Sequence, residues 1–231
     1  MPRKIALDAT SADTKTRILD AGERLFVEHG FEATSLRSLT TAAGVNLAAV
    51  HYHFGSKEEL FQAVLTRRLD PMNQERIDLL AKVEREAAGR PLSCEKVLFA
   101  MLIPALRLAR DEERGGKDFL RLVGRAYADP APFIRHFLSA QYAGMIGRYK
   151  EAFLKALPPL SRQELTWRLH FVMGALSYTL AGTDALKLFA EATSTTDNDE
   201  LLLQRLAPFL VAGLKAPALA DTRKLELVAG Y

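Results

Sequence analysis

The sequence predicts an all-α fold, and three observations support this prediction. Hydrophobic residues recur at spacings of three and four along nearly the whole chain, which is typical of helices with one buried face. Alternating runs rich in Val, Ile and Thr, which would indicate strands, are missing. The 231 residues are 48% hydrophobic, so the chain can bury a substantial core. Breaks at Gly, Pro and polar clusters divide it into about nine helices.

The first predicted helix runs from about Thr14 to His29, after an N-terminal arm over residues 1–13. One stripe of this helix is apolar and predicts its buried face. The stripe consists of Ile18, Ala21, Leu25 and Phe26.

Two short helices are predicted next, joined by a tight glycine turn. Ser35 can cap a second helix that ends at Ala43, and Gly44 can adopt the left-handed conformation that closes it. A third helix follows from about Leu47 to His53. This pattern is that of a helix-turn-helix, in which the second helix of the pair enters the major groove of DNA.

The fourth predicted helix connects this unit to the rest of the chain. Ser56 can cap its first turn. We expect it to continue past Pro71 with a kink or a break there, because proline removes a backbone donor and clashes with the preceding turn.

The segment His51-Tyr52-His53 has three interpretations. A metal site is the first, but two histidines two residues apart diverge by about 200° on a helix, whereas ligands on one face need spacings of three or four. The second is that Tyr52 packs locally and both histidines are solvated. The third, which we favour, is contact with DNA.

The residues of this region resemble those of a known family. The stretch SLRSLTTAAGVNLAAVHYHFGSKEELF, residues 35–61, is similar to the DNA-binding segment of the tetracycline-repressor (TetR) family. Members of this family carry an A-G-V turn, a short recognition helix ending in Y-H-F or similar, and then G-S-K-E-x-L-F. The similarity covers residues 14 to about 65. Family members often have glycine at position 48 and tyrosine at position 51, where this chain has Ala48 and His51, so the base preference does not carry over.

The resemblance implies two sets of DNA contacts. The first set would bind phosphates, with Arg37 also able to reach a base, and consists of Ser35, Arg37, Tyr52, His53 and Lys57. The second set would lie against the groove floor and consists of Leu47, Ala48, Ala49 and His51.

The charge distribution allows this interpretation without demanding it. The chain has a formal net charge of +3 and a pI of about 9.0. Residues 1–60 contain seven Lys or Arg and eight Asp or Glu, a net of −1. No acidic residue lies between Ala33 and Lys57, so the proposed DNA face can still be positive. Arg3 and Lys4 could extend that face into a minor groove, or belong to a disordered terminus.

We predict a DNA-binding domain over residues 1–60 and a larger helical domain over residues 61–231. Three predicted helices of the larger domain carry apolar residues that would form either core or the apolar ligand pocket that the family resemblance implies. These are a helix near Met101 and Leu102, a helix from Phe119 to Tyr127, and a long helix from about Pro132 to Leu157. The predicted pocket residues are Met101, Leu102, Phe119, Leu122, Val123, Phe137, Tyr142 and Met145.

Two C-terminal helices are candidates for a dimer interface. The helix from about Gln163 to Thr183 has almost no polar face, so it must be covered on more than one side. A later helix offers a second apolar surface, although burial within one chain could explain either helix alone. The resemblance implies a homodimer, with an interface predicted at Phe171, Ala175, Tyr178, Leu202, Leu206 and Phe209.

An enzyme is not expected. The sequence has no GxSxG, no HExxH and no glycine-rich phosphate loop, its five histidines are scattered, and its single cysteine, Cys94, is predicted to be structural. We therefore expect no catalytic residue, no cofactor and no metal ion. The N-terminus lacks the apolar run of a signal peptide and no segment is suited to spanning a bilayer, so we expect a cytoplasmic protein.

The predicted function is that of a dimeric repressor, released from a palindromic operator by a small apolar molecule. The stretches VNLAAVHYHFGSKEELFQAVLTRRLDPMN and LVGRAYADPAPFIRHF resemble the subgroup of regulators that includes fatty-acid-responsive members. This implies a fatty acid or acyl thioester as effector, with multidrug or aromatic ligands as alternatives. A constitutive DNA-binding protein without an effector is the alternative function.

Overall fold

The computed structural model describes residues 2–128, 131–180 and 199–217, which form ten α-helices and no strand. This confirms the predicted all-α fold. A single 3-10 turn at Glu112–Arg114 precedes α6. The helices are α1 (Pro2–Ala33), α2 (Leu36–Ala43), α3 (Leu47–Phe54), α4 (Lys57–Ala87), α5 (Cys94–Arg110), α6 (Gly116–Ala128), α7 (Pro132–Gln141), α8 (Ala143–Ala156), α9 (Arg162–Leu180) and α10 (Asp199–Lys215).

The first helix is longer than predicted, since α1 begins at Pro2 and not near Thr14. No glycine or proline lies between residues 3 and 21, so no local signal ends the helix there. Gly30 interrupts α1 near its end with φ 78° and ψ 177°, a conformation that L side chains rarely adopt. The predicted break at this glycine is therefore confirmed.

The helix-turn-helix boundaries follow from local caps, as predicted. The Ser35 hydroxyl accepts a hydrogen bond from the Ser38 N–H at 3.0 Å, and Gly44 closes α2 with φ 62° and ψ 40°. Asn46 caps α3, its side-chain oxygen accepting from the Ala49 N–H at 2.8 Å. These bonds satisfy backbone donors that the first turn of a helix leaves free.

The fourth helix passes through Pro71 without ending. It runs 31 residues to Ala87, and Pro71 lies on its exposed side. The predicted continuation past Pro71 is therefore confirmed, and the helix does not break there. The proposed domain boundary after residue 60 falls inside α4, and one hydrophobic cluster contains Leu39 and Val50 before it as well as Leu65 and Phe119 after it. We name α1, α2 and α3 the recognition unit. It shares this core with the adjoining helices.

The predicted long helix over residues 132–157 is two helices. They are divided at Tyr142, which has φ −108° and ψ 13°. The Tyr142 side chain is buried, and its hydroxyl donates to Asp70 Oδ1 of α4 at 3.0 Å. Burial, followed by this bond to Asp70, raises the pKa of Tyr142. A helical pattern could not reveal this break, because the contact that accompanies it is tertiary.

A second hydrophobic cluster joins the C-terminal half of α4 to α5, α8, α9 and α10. Its largest fully buried members are Leu80, Leu98 and Phe153. Cys94 is buried in this cluster, and burial, with the charge of Glu95, raises the pKa of its thiol to about 11, as suits a structural cysteine. Met145 packs against both clusters. We name the region around Met145, where the two clusters adjoin, the seam.

The C-terminal helices are also held by a buried arginine. Arg168 of α9 donates to the carbonyl oxygens of Leu214, Ala216 and Pro217 at 2.8, 2.6 and 3.1 Å, and it pairs with Glu164. These bonds close the C-terminal end of α10. In the described parts of the chain, no helix has the length and hydropathy needed to cross a bilayer.

Candidate nucleic-acid interface

The third helix has one buried side and one exposed side. Val50 and Phe54 are buried, whereas Leu47 is 48% exposed and Tyr52 is 81% exposed. At about 100° per residue, His51 lies roughly 40° from Leu47 and between Leu47 and Ala48 around the helix. Ala48 and His51 are exposed as well. We name the surface formed by Leu47, Ala48, His51 and Tyr52 the α3 face.

Two predicted DNA contacts lie beside the α3 face and not on it. Ala49, expected to point away from the core, is half-buried and packs against it, because it lies about 200° from Leu47 around the helix. His53 is half-buried, and its ring centroid lies 5.0 Å from that of Tyr52 and 6.2 Å from that of Phe54. DNA contact by either residue stays a prediction.

The two predicted phosphate ligands at the start of α2 are both exposed. The Ser35 hydroxyl accepts from the Ser38 N–H and donates to Ser38 Oγ at 3.1 Å, so a phosphate would have to replace Ser38 as the acceptor of its proton. Arg37 follows in the first turn, on the same end of α2 as the positive pole of its helix dipole. The exposed cation of Arg37 at this end of the helix suits an anion.

Lys57 has a structural role that the sequence did not reveal. Its ammonium donates to the carbonyl oxygens of Phe31 at 3.0 Å and Thr34 at 3.1 Å, and it lies 4.1 Å from the centroid of the Phe31 ring. These contacts fix the start of α4 against the end of α1. An ammonium has three donors, so one remains for a phosphate.

Arg17 is a further supporting residue that sequence reasoning missed. Its Nη2 donates to the carbonyl oxygens of Ala43 at 2.6 Å and Gly44 at 2.8 Å, which are at the C-terminal end of α2. A Cβ added to Gly44 would lie 2.9 Å from this nitrogen. No local pattern signals a contact between residues 26 positions apart, so only the folded structure reveals it.

Two acidic side chains of α1 pair with arginines of α4. Glu23 is buried and pairs with Arg67 and Arg68, while Asp20 accepts from Arg67 at 2.6 Å. They border a cleft of about 730 Å³ between α1, α4 and α6, lined largely by charged side chains. The 34–56 segment has no acidic residue of its own, which favours a positive potential there.

The predicted ligand-pocket residues lie on both sides of the seam at Met145. Phe119, Leu122, Val123 and Tyr142 belong to the first hydrophobic cluster, and Phe137 packs against it. Leu102 belongs to the second cluster, and Met101 packs against that one. The structure thus brings these side chains to two adjoining cores.

Three of the six predicted dimer residues are exposed aromatic side chains. Phe171 and Tyr178 of α9 and Phe209 of α10 are 64%, 56% and 69% exposed. Trp167, which the prediction missed, is 55% exposed, and its ring stacks on Phe171 with the centroids 6.1 Å apart. Ala175 and Leu206 are half-buried, and the side chain of Leu202 lies outside the described residues. We name the surface of Trp167, Phe171, Tyr178 and Phe209 the α9–α10 face.

A metal interpretation of His51-Tyr52-His53 finds no support in the geometry. Among the described residues, no three His, Cys, Asp or Glu side chains are grouped so that they could hold a metal ion. His51 is also engaged elsewhere, since its Nδ1 lies 2.6 Å from the carbonyl oxygen of Gly55.

Comparisons with known proteins cover both halves of the chain. Residues 18–64 match the family described as bacterial regulatory proteins, tetR family, and residues 100–213 match the tetracyclin repressor-like C-terminal domain.

Individual relatives align over part of the chain. This chain is 32% identical over 96 residues to the HTH-type transcriptional regulator TtgR of Pseudomonas putida, and the match covers 42% of this chain and 44% of that protein. It is 34% identical over 114 residues to the HTH-type transcriptional regulator AcrR of Shigella flexneri, covering 49% of each. The chain therefore spans about half the length of the curated relatives it matches.

A solved structure extends the comparison to the whole fold. The fatty acid degradation regulator FadR from Bacillus halodurans has a TM-score of 0.59 and 15% identity, with 87% of this chain and 96% of that chain covered. At this identity the likeness concerns the fold alone.

Proposed function

This chain belongs to the TetR family of transcriptional regulators, and we propose that it is a homodimeric repressor that a small apolar molecule releases from DNA. The observation that carries the proposal is the α3 face. A tyrosine that is 81% exposed stands there beside a histidine and two small or aliphatic residues, on a short helix whose other side is core. A structural role does not require this exposure, whereas insertion into a major groove does.

We assign the contacts by position on this surface. Leu47, Ala48 and His51 would meet base edges, while Ser35, Arg37 and Tyr52 would bind phosphates on either side of the groove. Lys57 would offer its remaining donor to a phosphate. His53 and Ala49 would support the face from its edge. Phosphate contacts of this kind position the helix, and base contacts supply the sequence preference.

The α9–α10 face supports the proposal of a dimer. Three aromatic residues of α9 lie at spacings of four and seven, so they form one row, and Phe209 of α10 adds to the exposed apolar surface. Large contiguous apolar surfaces are covered in stable proteins, and aromatic residues are enriched in protein interfaces. A twofold dimer through this face would present two α3 faces to one side of a duplex, about 34 to 36 Å apart.

The seam at Met145 is the proposed effector site. Side chains from both clusters converge there, and an apolar ligand that separates the clusters would act on α4, which belongs to both. Because α4 begins at Lys57 beside α1, a shift of its C-terminal half can move the recognition unit. The ligand must bind the DNA-incompetent arrangement more tightly, since equal affinity for both shifts nothing.

The effector class is proposed from the sequence resemblance to fatty-acid-responsive regulators. A fatty acid or acyl thioester would place its chain among Leu122, Val123 and Met145. The Bacillus halodurans protein is a regulator of fatty acid degradation, although its likeness to this chain carries the fold only.

A constitutive DNA-binding protein is the second candidate function. One observation favours it: Leu102, Phe119, Leu122 and Val123 are each at most 3% exposed and already belong to packed clusters. A ligand would have to displace these contacts in order to enter.

The test begins with selection of duplexes from random DNA by the purified protein. We expect a palindromic sequence. Ala48→Glu, which places a carboxylate on the α3 face, should abolish the selection, because like charges repel on approach to phosphates. Ala140→Glu, on the exposed side of α7, is the matched control and should select the same sequence.

Mass spectrometry of the natively purified protein then separates the two candidates. A fatty acid or acyl thioester at about one per chain, whose addition releases the duplex, supports the ligand-responsive repressor. DNA affinity that is identical with and without lipid extracts supports the constitutive protein. Failure of the unmodified chain to select any duplex contradicts both.

A further inference from the structure

One hydrogen bond fixes the chemistry that His51 offers to a partner. Its Nδ1 lies 2.6 Å from the carbonyl oxygen of Gly55. A carbonyl oxygen can only accept, so Nδ1 carries the proton and donates it. A neutral imidazole has one ring proton, and its other nitrogen is then an acceptor. Nε2 of neutral His51 is therefore an acceptor with no proton of its own.

The backbone at Gly55 creates this arrangement. Gly55 closes α3 with φ 78° and ψ −66°, and its N–H donates to the His51 carbonyl oxygen at 2.9 Å. Gly55 thus forms two hydrogen bonds with His51, one to its main-chain carbonyl oxygen and one from its imidazole. A side chain at position 55 would be strained at this φ and would collide with the Glu59 carboxylate. The glycine of the H-F-G-S sequence therefore also sets the tautomer of a side chain on the α3 face.

His51 occupies a position from which it can reach a base. It lies within the exposed arc that runs from Leu47 to Tyr52, and its side chain is exposed. Leu47 and Ala48 carry no polar side-chain atom, and the Tyr52 hydroxyl can donate or accept. Among the side chains of the α3 face, Nε2 of His51 is thus the group that can accept but not donate.

We infer that His51 reads the amino group of an adenine or a cytosine in the major groove, through an Nε2 held as an acceptor by the bond from Nδ1 to the Gly55 carbonyl. In that groove adenine offers N6–H₂ and cytosine N4–H₂, whereas guanine and thymine offer acceptors at the corresponding edges. At the base that His51 contacts, we therefore expect a preference for the amino bases adenine and cytosine over the keto bases guanine and thymine. This inference rests on the proposed DNA-binding function of the α3 face.

The first experiment compares sequences selected from random duplex DNA by the wild-type chain and by His51→Phe, at about pH 8, where histidine side chains are generally neutral. Phenylalanine keeps a planar ring but removes the acceptor. We expect wild type to prefer A or C at one position in each half-site. His51→Phe should lose this preference, roughly five- to tenfold, at that position alone.

His53→Phe is the matched control, because it makes the same change two residues further on and off the α3 face. It should leave the base preference intact even where it weakens binding to all sequences. Circular dichroism on both variants verifies that they fold.

A second experiment does not depend on a variant that folds. In the selected duplex, the amino base at this position is replaced by its analogue lacking the amino group, either purine for adenine or 2-pyrimidinone for cytosine. Wild type should lose roughly five- to tenfold in affinity, and His51→Phe should not respond.

The outcomes separate this inference from the function on which it rests. A selected palindrome whose base preferences are the same for wild type and His51→Phe would overturn the role of His51 and leave the DNA-binding function in place. A His51-dependent position that prefers G or T, or an analogue that binds wild type as well as the amino base, would also overturn it. Failure of wild type to select any duplex would contradict the proposed function itself.

Discussion

The α3 face and the α9–α10 face both expose large side chains, but their chemistry differs. The α3 face combines one hydroxyl and one imidazole with small and aliphatic groups, in a segment without acidic residues. The α9–α10 face consists mainly of aromatic carbon from Trp167, Phe171, Tyr178 and Phe209. Exposure alone therefore does not identify a partner. Polar groups in an acid-free segment suit nucleic acid, whereas a contiguous apolar row suits another protein surface.

The helices that carry the two faces are held in place by similar hydrogen bonds. In each, a basic side chain from one helix binds carbonyl oxygens at the C-terminal end of another. Arg17 binds the end of α2, Lys57 the end of α1, and Arg168 the end of α10. These bonds satisfy acceptors that a helix leaves free and place a cation at the negative pole of its dipole. Basic residues near a functional surface can therefore be structural.

The largest expected effect is that of Phe171→Asp on the α9–α10 face. Burying a carboxylate in an apolar interface is costly, so we expect monomers in light scattering. The affinity for a palindromic duplex should fall about 100-fold or more, because the two half-sites can no longer be bound together. Phe171 is mostly exposed, so the fold of each chain should survive.

The control for this variant is Phe99→Asp, which makes the same change at an exposed phenylalanine of α5. It should remain dimeric and bind DNA as wild type does. A dimer that survives Phe171→Asp would place the interface on another surface.

Lys57→Met should reduce folding stability by about 1 to 2 kcal/mol, because it removes two hydrogen bonds and a cation–π contact. Thermal unfolding without DNA measures this effect. The adjacent Glu58→Ala, at an exposed position, should change stability little. An unchanged melting temperature for Lys57→Met would mean that its bonds to α1 contribute nothing, and that any loss of DNA affinity reflects phosphate contact alone.

Arg37→Gln should lower the slope of log affinity against log salt by about 0.9, because one phosphate is no longer neutralised by a cation. Tyr52→Phe removes a neutral donor from the same interface and should weaken binding without changing the slope. Fluorescence anisotropy over a salt series distinguishes the two results. Equal slopes for wild type and Arg37→Gln would show that Arg37 does not bind a phosphate.

The smallest expected effect concerns the pair that joins α10 to α5. Hydrogen bonds from Lys215 and Ser93 lower the pKa of Glu95 from 4.5 to about 2. A lowered pKa in the folded chain stabilises it above pH 4.5, and this contribution is lost as the pH falls towards 2. The melting-temperature difference between wild type and Glu95→Gln should therefore shrink over this range. A constant difference would contradict the linkage.

Local signals in the sequence predicted much of the recognition unit. Ser35 and Gly44 mark the ends of α2 because caps and left-handed turns depend on neighbouring residues, and the structure confirms both. The family matches confirm the TetR resemblance and a regulator, not an enzyme.

Features that depend on distant residues were not predictable. The break at Tyr142 and the bonds of Arg17 and Lys57 all involve tertiary contacts that periodicity does not encode. The predicted orientation of Ala49 failed for a related reason, since an alanine fits either side of a short helix.

A dimer that presents two α3 faces can be tested by native mass spectrometry of the protein on its selected duplex, combined with hydroxyl-radical footprinting. We expect two chains per duplex and two symmetric protected regions centred one helical turn apart. A single chain per duplex, or one protected region without symmetry, would contradict this arrangement.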